Sequence, residues 1–393
     1  MIWGVNSKKG PSPAVNAANT LTARWCNLMG AEDYALSGAG LWPLLALLAS
    51  AADDPAGAEL AAALDRPTDA AQQEALEIID LLRGGKSTTA ALGIWTRKGV
   101  PLEQGWAASL PENVVGTLTD QAALDRWADE QTAGLIDTFP LKLTDATLLV
   151  LASALAARVR WRTPFDGCPR DRGAMWPDDP GPADQQSLSR TTSDLSIAAV
   201  LDDAVTRVVV EGDGDVDVHL LLGDDQPPAE ILGVGLRELS GQAQIRPAAD
   251  TGDRGGPGLT VERLKSSDPE DILDLSLPSF EIKTEHNLLD NSELFGLGLL
   301  TDTTTSHLPR LSPIPLAISA GAQEVLARFF AEGFEAAAVT AFSLEVGCAF
   351  PDPRYEVTYA RVVFDRPFGF LAVHRPSRLA VVAGWVKSPF QPD

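Results

Sequence analysis

The chain has 393 residues, 45% hydrophobic and 22% charged, enough apolar material for a substantial core. Its formal net charge of −23 argues against nucleic acid or an anionic membrane as partner. No run of about eighteen apolar residues offers a membrane span.

Along the chain, apolar periodicity predicts helices over 15–28, 41–52, 58–64 and 72–83, the second central to the core. Residues 90–97 read as a strand, 122–136 as an amphipathic helix and 147–161 as a long buried strand. The stretch 168–189 is rich in Pro, Asp and Gly and reads as an irregular surface connection. Residues 206–210 and 216–222 flank Glu211-Gly212-Asp213-Gly214-Asp215, a hairpin signature, and 252–258 form another turn-rich joint. There is no internal repeat. Helices first, then strands with one late helix, indicate an α+β class.

Enzyme chemistry finds no positive support. Asp213, Asp215 and Asp217 lack the twelfth-position Glu of a calcium loop and read as a solvated hairpin. The four histidines, His219, His286, His307 and His374, make no zinc motif, and His219 reads as a strand residue within VDVHLLL. Ser37-Gly38-Ala39-Gly40 lacks the spacing of a nucleophile elbow, and Gly296 to Gly298 is too short for a dinucleotide fingerprint. Cys26, Cys168 and Cys348 are an odd count without metal-ligand spacing, as expected in a reducing compartment. Lys8 and Lys9 precede no apolar stretch, so no secretory signal is expected; the location read from this is cytoplasmic, with non-classical release as the alternative.

The most informative segment begins Ala331-Glu332-Gly333-Phe334-Glu335-Ala336-Ala337-Ala338-Val339-Thr340. A two-residue period puts Ala336, Ala338, Thr340, Phe342, Leu344 and Val346 on one apolar face, with Glu335 and Glu345 on the other. Yet consecutive alanines prefer helix. The segment therefore reads either as an Ala-rich helix end or as a loop able to become a strand.

This segment resembles the reactive-centre loop hinge of the serpin family, with Phe334 in place of a small Thr or Ser. The resemblance continues through Trp127, Thr132, Gly134 and Ile136, then Trp161, Pro164 and Phe165, then Leu277-Pro278-Ser279-Phe280 and Leu294-Phe295-Gly296. Phe364, Pro367 and Phe368 and the strand-like run ending Gly384-Trp385-Val386, with Pro389, complete it. It implies one serpin domain over 1–393, with three β-sheets, about eight or nine helices and an exposed loop near 333–360. It further implies a non-enzyme that traps a serine or cysteine protease by inserting its cut loop into the central sheet, without metal or cofactor. No nucleic acid or membrane partner is expected, and a monomer is. The hinge would be Glu332, Gly333, Phe334, Glu335, Ala336, Ala337, Ala338, Val339 and Thr340. Counting fourteen residues on from Gly333, the family's usual distance, puts the cut at Gly347-Cys348, in a window of Val346, Ala349 and Phe350 that suits a protease favouring small or apolar residues. Pro351 and Pro353 bar insertion beyond that window and make Arg354 an unsuitable cleavage residue. Cys348 is either a redox-active loop thiol or a small hydrophobe.

The resemblance also places the polar cluster beneath the opening strands at Gly40, Ser153 and Gln323, with Trp161 above. None of the first three matches the family's Ser, Asn and His, so a rebuilt latch is expected. Phe334 would point inward as the first inserted side chain, where overpacking costs about 1–3 kcal/mol unless the core is adapted to it. Phe334 and the long distal loop leave open the alternative of a non-inhibitory binding or chaperone-like serpin.

Overall fold

The structure, a computed structural model, describes residues 10–111, 114–132, 134, 138, 143–144, 147–169, 186–302, 304–334 and 354–388. The first third is helical: α1 (Pro13–Cys26), β1 (Tyr34–Leu36), α2 (Gly38–Ala51), α3 (Ala56–Leu64), α4 (Thr68–Gly84), β2 (Thr88–Arg97), α5 (Gln104–Ala107), β3 (Val115–Leu118) and α6 (Gln121–Thr132). Strands then dominate: β4 (Leu149–Ala157), β5 (Val159–Arg160), β6 (Asp166–Pro169), β7 (Gln186–Thr192), β8 (Ala198–Leu201), β9 (Val205–Val210) and β10 (Val216–Leu222). After α7 (Pro228–Leu239) come β11 (Ile245–Pro247), β12 (Leu259–Ser266), β13 (Ile272–Pro278), β14 (Phe280–Asn287), β15 (Ile318–Phe329), β16 (Gly333–Phe334), β17 (Tyr355–Val363), β18 (Phe368–His374) and β19 (Leu379–Val386).

Three sheets result. The first runs β1-β19-β18-β10-β9-β8-β11 and the second β12-β17-β13-β7-β6. The third, central here, runs β3-β2-β4-β15-β16-β5, with β14 on the other flank of β15. Within it β4 and β15 pair directly and in parallel, from Leu149↔Ile318 to Leu155↔Val325.

The α+β class and three sheets agree with the expectation. Seven α-helices occur among the described residues, not eight or nine, because segments such as Leu288–Asn291 and Leu299–Thr301 are only 3₁₀ turns. The stretch 168–189 is also not wholly irregular, since Asp166–Pro169 and Gln186–Thr192 pair as strands. There, backbone pairing outweighs the turn-rich composition. The expected strand 147–161 breaks into β4 and β5, and α6 ends at Thr132 before Gly134 at φ +84°.

Helix α2 is the axis of the core. Ser37 caps it by accepting the Gly40 N–H at 2.9 Å, and every residue but Ser50 is buried. A helix so apolar all round must be enclosed. On the outer face of the third sheet, Leu124 and Ala128 of α6 pack over Val150 and Ala152 of β4 and Ala322 of β15. The seam between β4 and β15 is thus covered from both sides.

Candidate functional site

Beneath the seam, one row of side chains crosses three strands. Ser153 of β4 stands opposite Gln323 of β15, and Gln323 opposite His286 of β14. All three engage the segment leading into α2. The Ser153 hydroxyl donates to the Gly40 carbonyl at 3.1 Å. Gln323 accepts the Ser37 N–H at 2.8 Å and donates to the Ser37 carbonyl at 2.9 Å. Nε2 of His286 donates to the Ala35 carbonyl at 2.8 Å, and the Ser37 hydroxyl donates to the Val381 carbonyl at 2.6 Å. Ser37, Ser153 and Gln323 are fully buried, so each bond replaces water that cannot reach them. Gly40 leaves the required room, because a Cβ there would lie 2.7 Å from the Ser153 hydroxyl.

Gly40, Ser153 and Gln323 are therefore brought together in one buried hydrogen-bonded network. Ser37 and His286 belong to it but were not identified from sequence. The signal for Ser37 was its place before an apolar helix, where a cap is expected; nothing local marked His286. Burial lowers the His286 pKa, against the bond to Ala35, which favours its protonated form.

At one end of the seam, β15 turns back on itself. The Phe330 N–H bonds to the Gly333 carbonyl at 2.9 Å, and Phe329 pairs with Phe334. The turn is held by Trp161 N–H to the Glu332 carbonyl at 3.0 Å, Phe165 N–H to the Ala331 carbonyl at 2.8 Å, and the Trp161 indole N–H to the Phe330 carbonyl at 2.9 Å. Strand β16 lies between β15 and β5, antiparallel to both. Gly333 fits because a Cβ would come within 2.3 Å of the Val159 carbonyl oxygen.

The Phe334 side chain, 1% exposed, points inward as expected, with its ring 6.1 Å from that of Phe370. Phe370 in turn packs on Phe280, and Phe280 on Phe329, at 5.2 and 5.4 Å. The ring has a place in an aromatic cluster, and the core is shaped around it.

Behind β5 stands the β9–β10 hairpin, whose Asp213 N–H bonds to the Arg160 carbonyl at 2.9 Å. Its acids are not all solvated, contrary to the sequence reading. Asp217 is buried and bidentate with Arg375 at 2.5 and 2.7 Å, and Asp215 accepts the Lys86 and Ser87 N–H groups at 2.9 and 3.2 Å. Arg375 lies far along the chain, which is why the pairing was invisible locally. His219 is a buried strand residue, pushed down to about 3 by burial and then by the Arg207 guanidinium. Cys26 is a free, buried thiol pushed up to about 12 by burial. Glu335, Ala336, Ala337, Ala338, Val339 and Thr340, and Val346, Gly347, Cys348, Ala349 and Phe350, lie outside the described residues.

Residues 258–389 match the family model Serpin (serine protease inhibitor). Over 358 residues the chain is 24% identical to Antichymotrypsin-2 of Bombyx mori, covering 87% of both chains. It is also 24% identical over 328 residues to Antitrypsin of Bombyx mori, covering 80% of this chain and 79% of that one. The last third of the chain thus matches the serpin family model, and most of its length resembles the two serpin-type inhibitors. Among solved serpin-fold structures, thyroxine-binding globulin in complex with thyroxine superposes with a TM-score of 0.72 at 15% identity, over 96% of this chain and 99% of that one. The thermophilic serpin Tengpin in its native state gives 0.71 at 16%, over 97% and 96%. Serpins are generally protease inhibitors rather than enzymes.

Proposed function

We propose that this chain is a serpin-type suicide-substrate inhibitor of a serine or cysteine protease, acting by insertion of its cut loop between β4 and β15. The observation that carries this reading is the strand arrangement at the seam. Two parallel strands pair directly, while β16 already stands antiparallel to both β15 and β5 at one end. Continuing β16 along the seam would replace one parallel ladder by two antiparallel ones, which pair slightly better per residue. It would also bury the apolar face formed by Ala336, Ala338, Thr340, Phe342, Leu344 and Val346.

The chemistry is that of an interrupted proteolysis. The protease nucleophile attacks the Gly347 carbonyl, the bond to Cys348 breaks, and the amine leaves with the distal chain. The acyl-linked protease then travels with the inserting strand. About fourteen residues at roughly 3.4 Å each carry it about 48 Å. Distortion of its active site there would prevent water from releasing it, so one turnover consumes the inhibitor.

A second reading is a serpin that binds a partner without trapping a protease. It draws on Phe334, whose buried ring ties the loop stem to the aromatic cluster. Incubation with a panel of proteases, followed by denaturing electrophoresis after boiling, separates the two. The inhibitory reading expects a covalent complex, together with a large rise in the unfolding midpoint of protein cut between Val346 and Phe350. Clean cutting with an unchanged midpoint rejects insertion.

A further inference from the structure

We propose that Arg158 and Arg328 are positioning residues for loop insertion: from the two flanks of the seam they receive the carboxylate of Glu335 and fix the register in which the strand enters; this rests on the insertion reading above. Strand β16 carries that register in its two ladders. Phe334 stands opposite Phe329 of β15 and Val159 of β5. Both pairings are antiparallel, so one further step along an inserting chain sets Glu335 opposite Arg328 and Arg158. The two ladders agree over a longer distance. Continued separately, each brings Ala338 to Leu155 and Val325, which now pair with each other, so neither contains a slip.

The facing fits as well. Ala157, Val159, Ala327, Phe329 and Phe334 are buried, while Arg158 is exposed and Arg328 half-buried. Both guanidinium groups therefore lie on the outer face, which an inserted Glu335 would share. Strands lie about 4.8 Å apart, which puts the two arginine backbones about 10 Å from each other across β16. Two like charges there repel, and a carboxylate midway attracts both. The Arg158 backbone is held, its N–H donating to the Ser87 carbonyl at 2.8 Å. Arg328 has donors to spare: it donates to Glu281 of β14 at 3.0 Å, and its buried Nε–H has no hydrogen-bond partner among the described residues. The neighbouring Phe334, Ala336, Ala337 and Ala338 carry no charge, so only one residue of this stretch suits the place. Slippage by one residue would turn the Glu335 carboxylate inward against the aromatic cluster, where an unpaired charge is costly. Slippage by two, deeper into the seam, would set it against Leu326. The arginine pair thus favours one register over its neighbours.

The test follows the rate at which protein cut between Val346 and Phe350 gains heat resistance, in single and paired variants. Glu335→Gln should slow that gain roughly two- to fivefold, the size expected of exposed cross-strand ion pairs. Arg328→Gln and Arg158→Gln should each slow it roughly twofold in the wild-type background and leave it unchanged in the Glu335→Gln background. An arginine acting only on the fold would slow both backgrounds alike. Salt supplies a measure that needs no variant: raising it from about 0.02 M to about 0.5 M should slow the wild-type protein by a similar factor. The site is rejected if Glu335→Gln gains heat resistance as fast as wild type, if the arginine variants slow both backgrounds equally, or if the wild-type rate is indifferent to salt. Should a variant fail to fold, the salt series decides. Wild-type protein that gains no heat resistance on cutting would reject insertion itself, and this site with it.

Discussion

Phe334 stands where the family pattern has a small polar residue, and its surroundings explain why the chain accommodates it. Its ring is enclosed beside Phe370 and within reach of the cluster that includes Phe280 and Phe329. Such a ring is no obstacle to the stem of the loop, since it is already seated before any cut. Phe334→Thr should therefore leave a cavity costing about 2–4 kcal/mol. The uncut protein should unfold at a lower temperature, and the inhibitor-to-protease ratio needed for full inhibition should not fall. Thermal unfolding and titration against one susceptible protease check this; a ratio that drops would show that the ring obstructs insertion.

For strands, the decisive quantity is the width of the seam. Adjacent strands lie about 4.8 Å apart, so admitting another roughly doubles the spacing of β4 and β15. Ser153 and Gln323 cannot both keep their bonds to Gly40 and Ser37 through such a movement. Under the proposed insertion, this network would oppose opening, and its strength would set how readily the seam yields. Gln323→Ala would remove two buried bonds to the Ser37 backbone and leave both groups unsatisfied, costing about 1–3 kcal/mol in the uncut form. Urea unfolding should show that loss, and stopped-flow fluorescence should show faster insertion after cutting. Unchanged stability would mean that the row beneath the seam is not a latch. Little of this was legible in sequence. Gly40, Ser153 and Gln323 emerged only by alignment with a family pattern they do not match, and Ser37 and His286 not at all, since five positions spread over 37–323 become neighbours only when three strands and a helix start are assembled.

Over the whole molecule, buried histidines are expected to contribute to the response to acid. The pKa values of His219, His286 and His374 are all lowered, chiefly by burial. A histidine whose folded pKa lies below its unfolded value takes up its proton more readily in the unfolded chain. Its stabilising effect is whole above the ordinary value of 6.5 and is lost as the pH falls below it. For His219, with a folded value of about 3, the loss at pH 5 is about 2 kcal/mol. Urea titrations at pH 7.5 and 5.0 should show stability falling with pH, and His219→Gln should flatten the difference. An equal drop in the variant would place the acid sensitivity elsewhere.

Periodicity and composition alone determined the helical first third, the buried α2, the β9–β10 hairpin and the α+β class, because those depend on residues close in sequence. They also determined that the segment after Glu332 has a strand's pattern without a strand's propensity. Tertiary structure decided the rest. Whether Phe334 is strain or packing depends on Phe370; whether Asp217 is solvated or buried depends on Arg375. Each of these is a choice between environments, made by a partner between 36 and about 160 residues away, and burial and pairing energies exist only once that partner is in place.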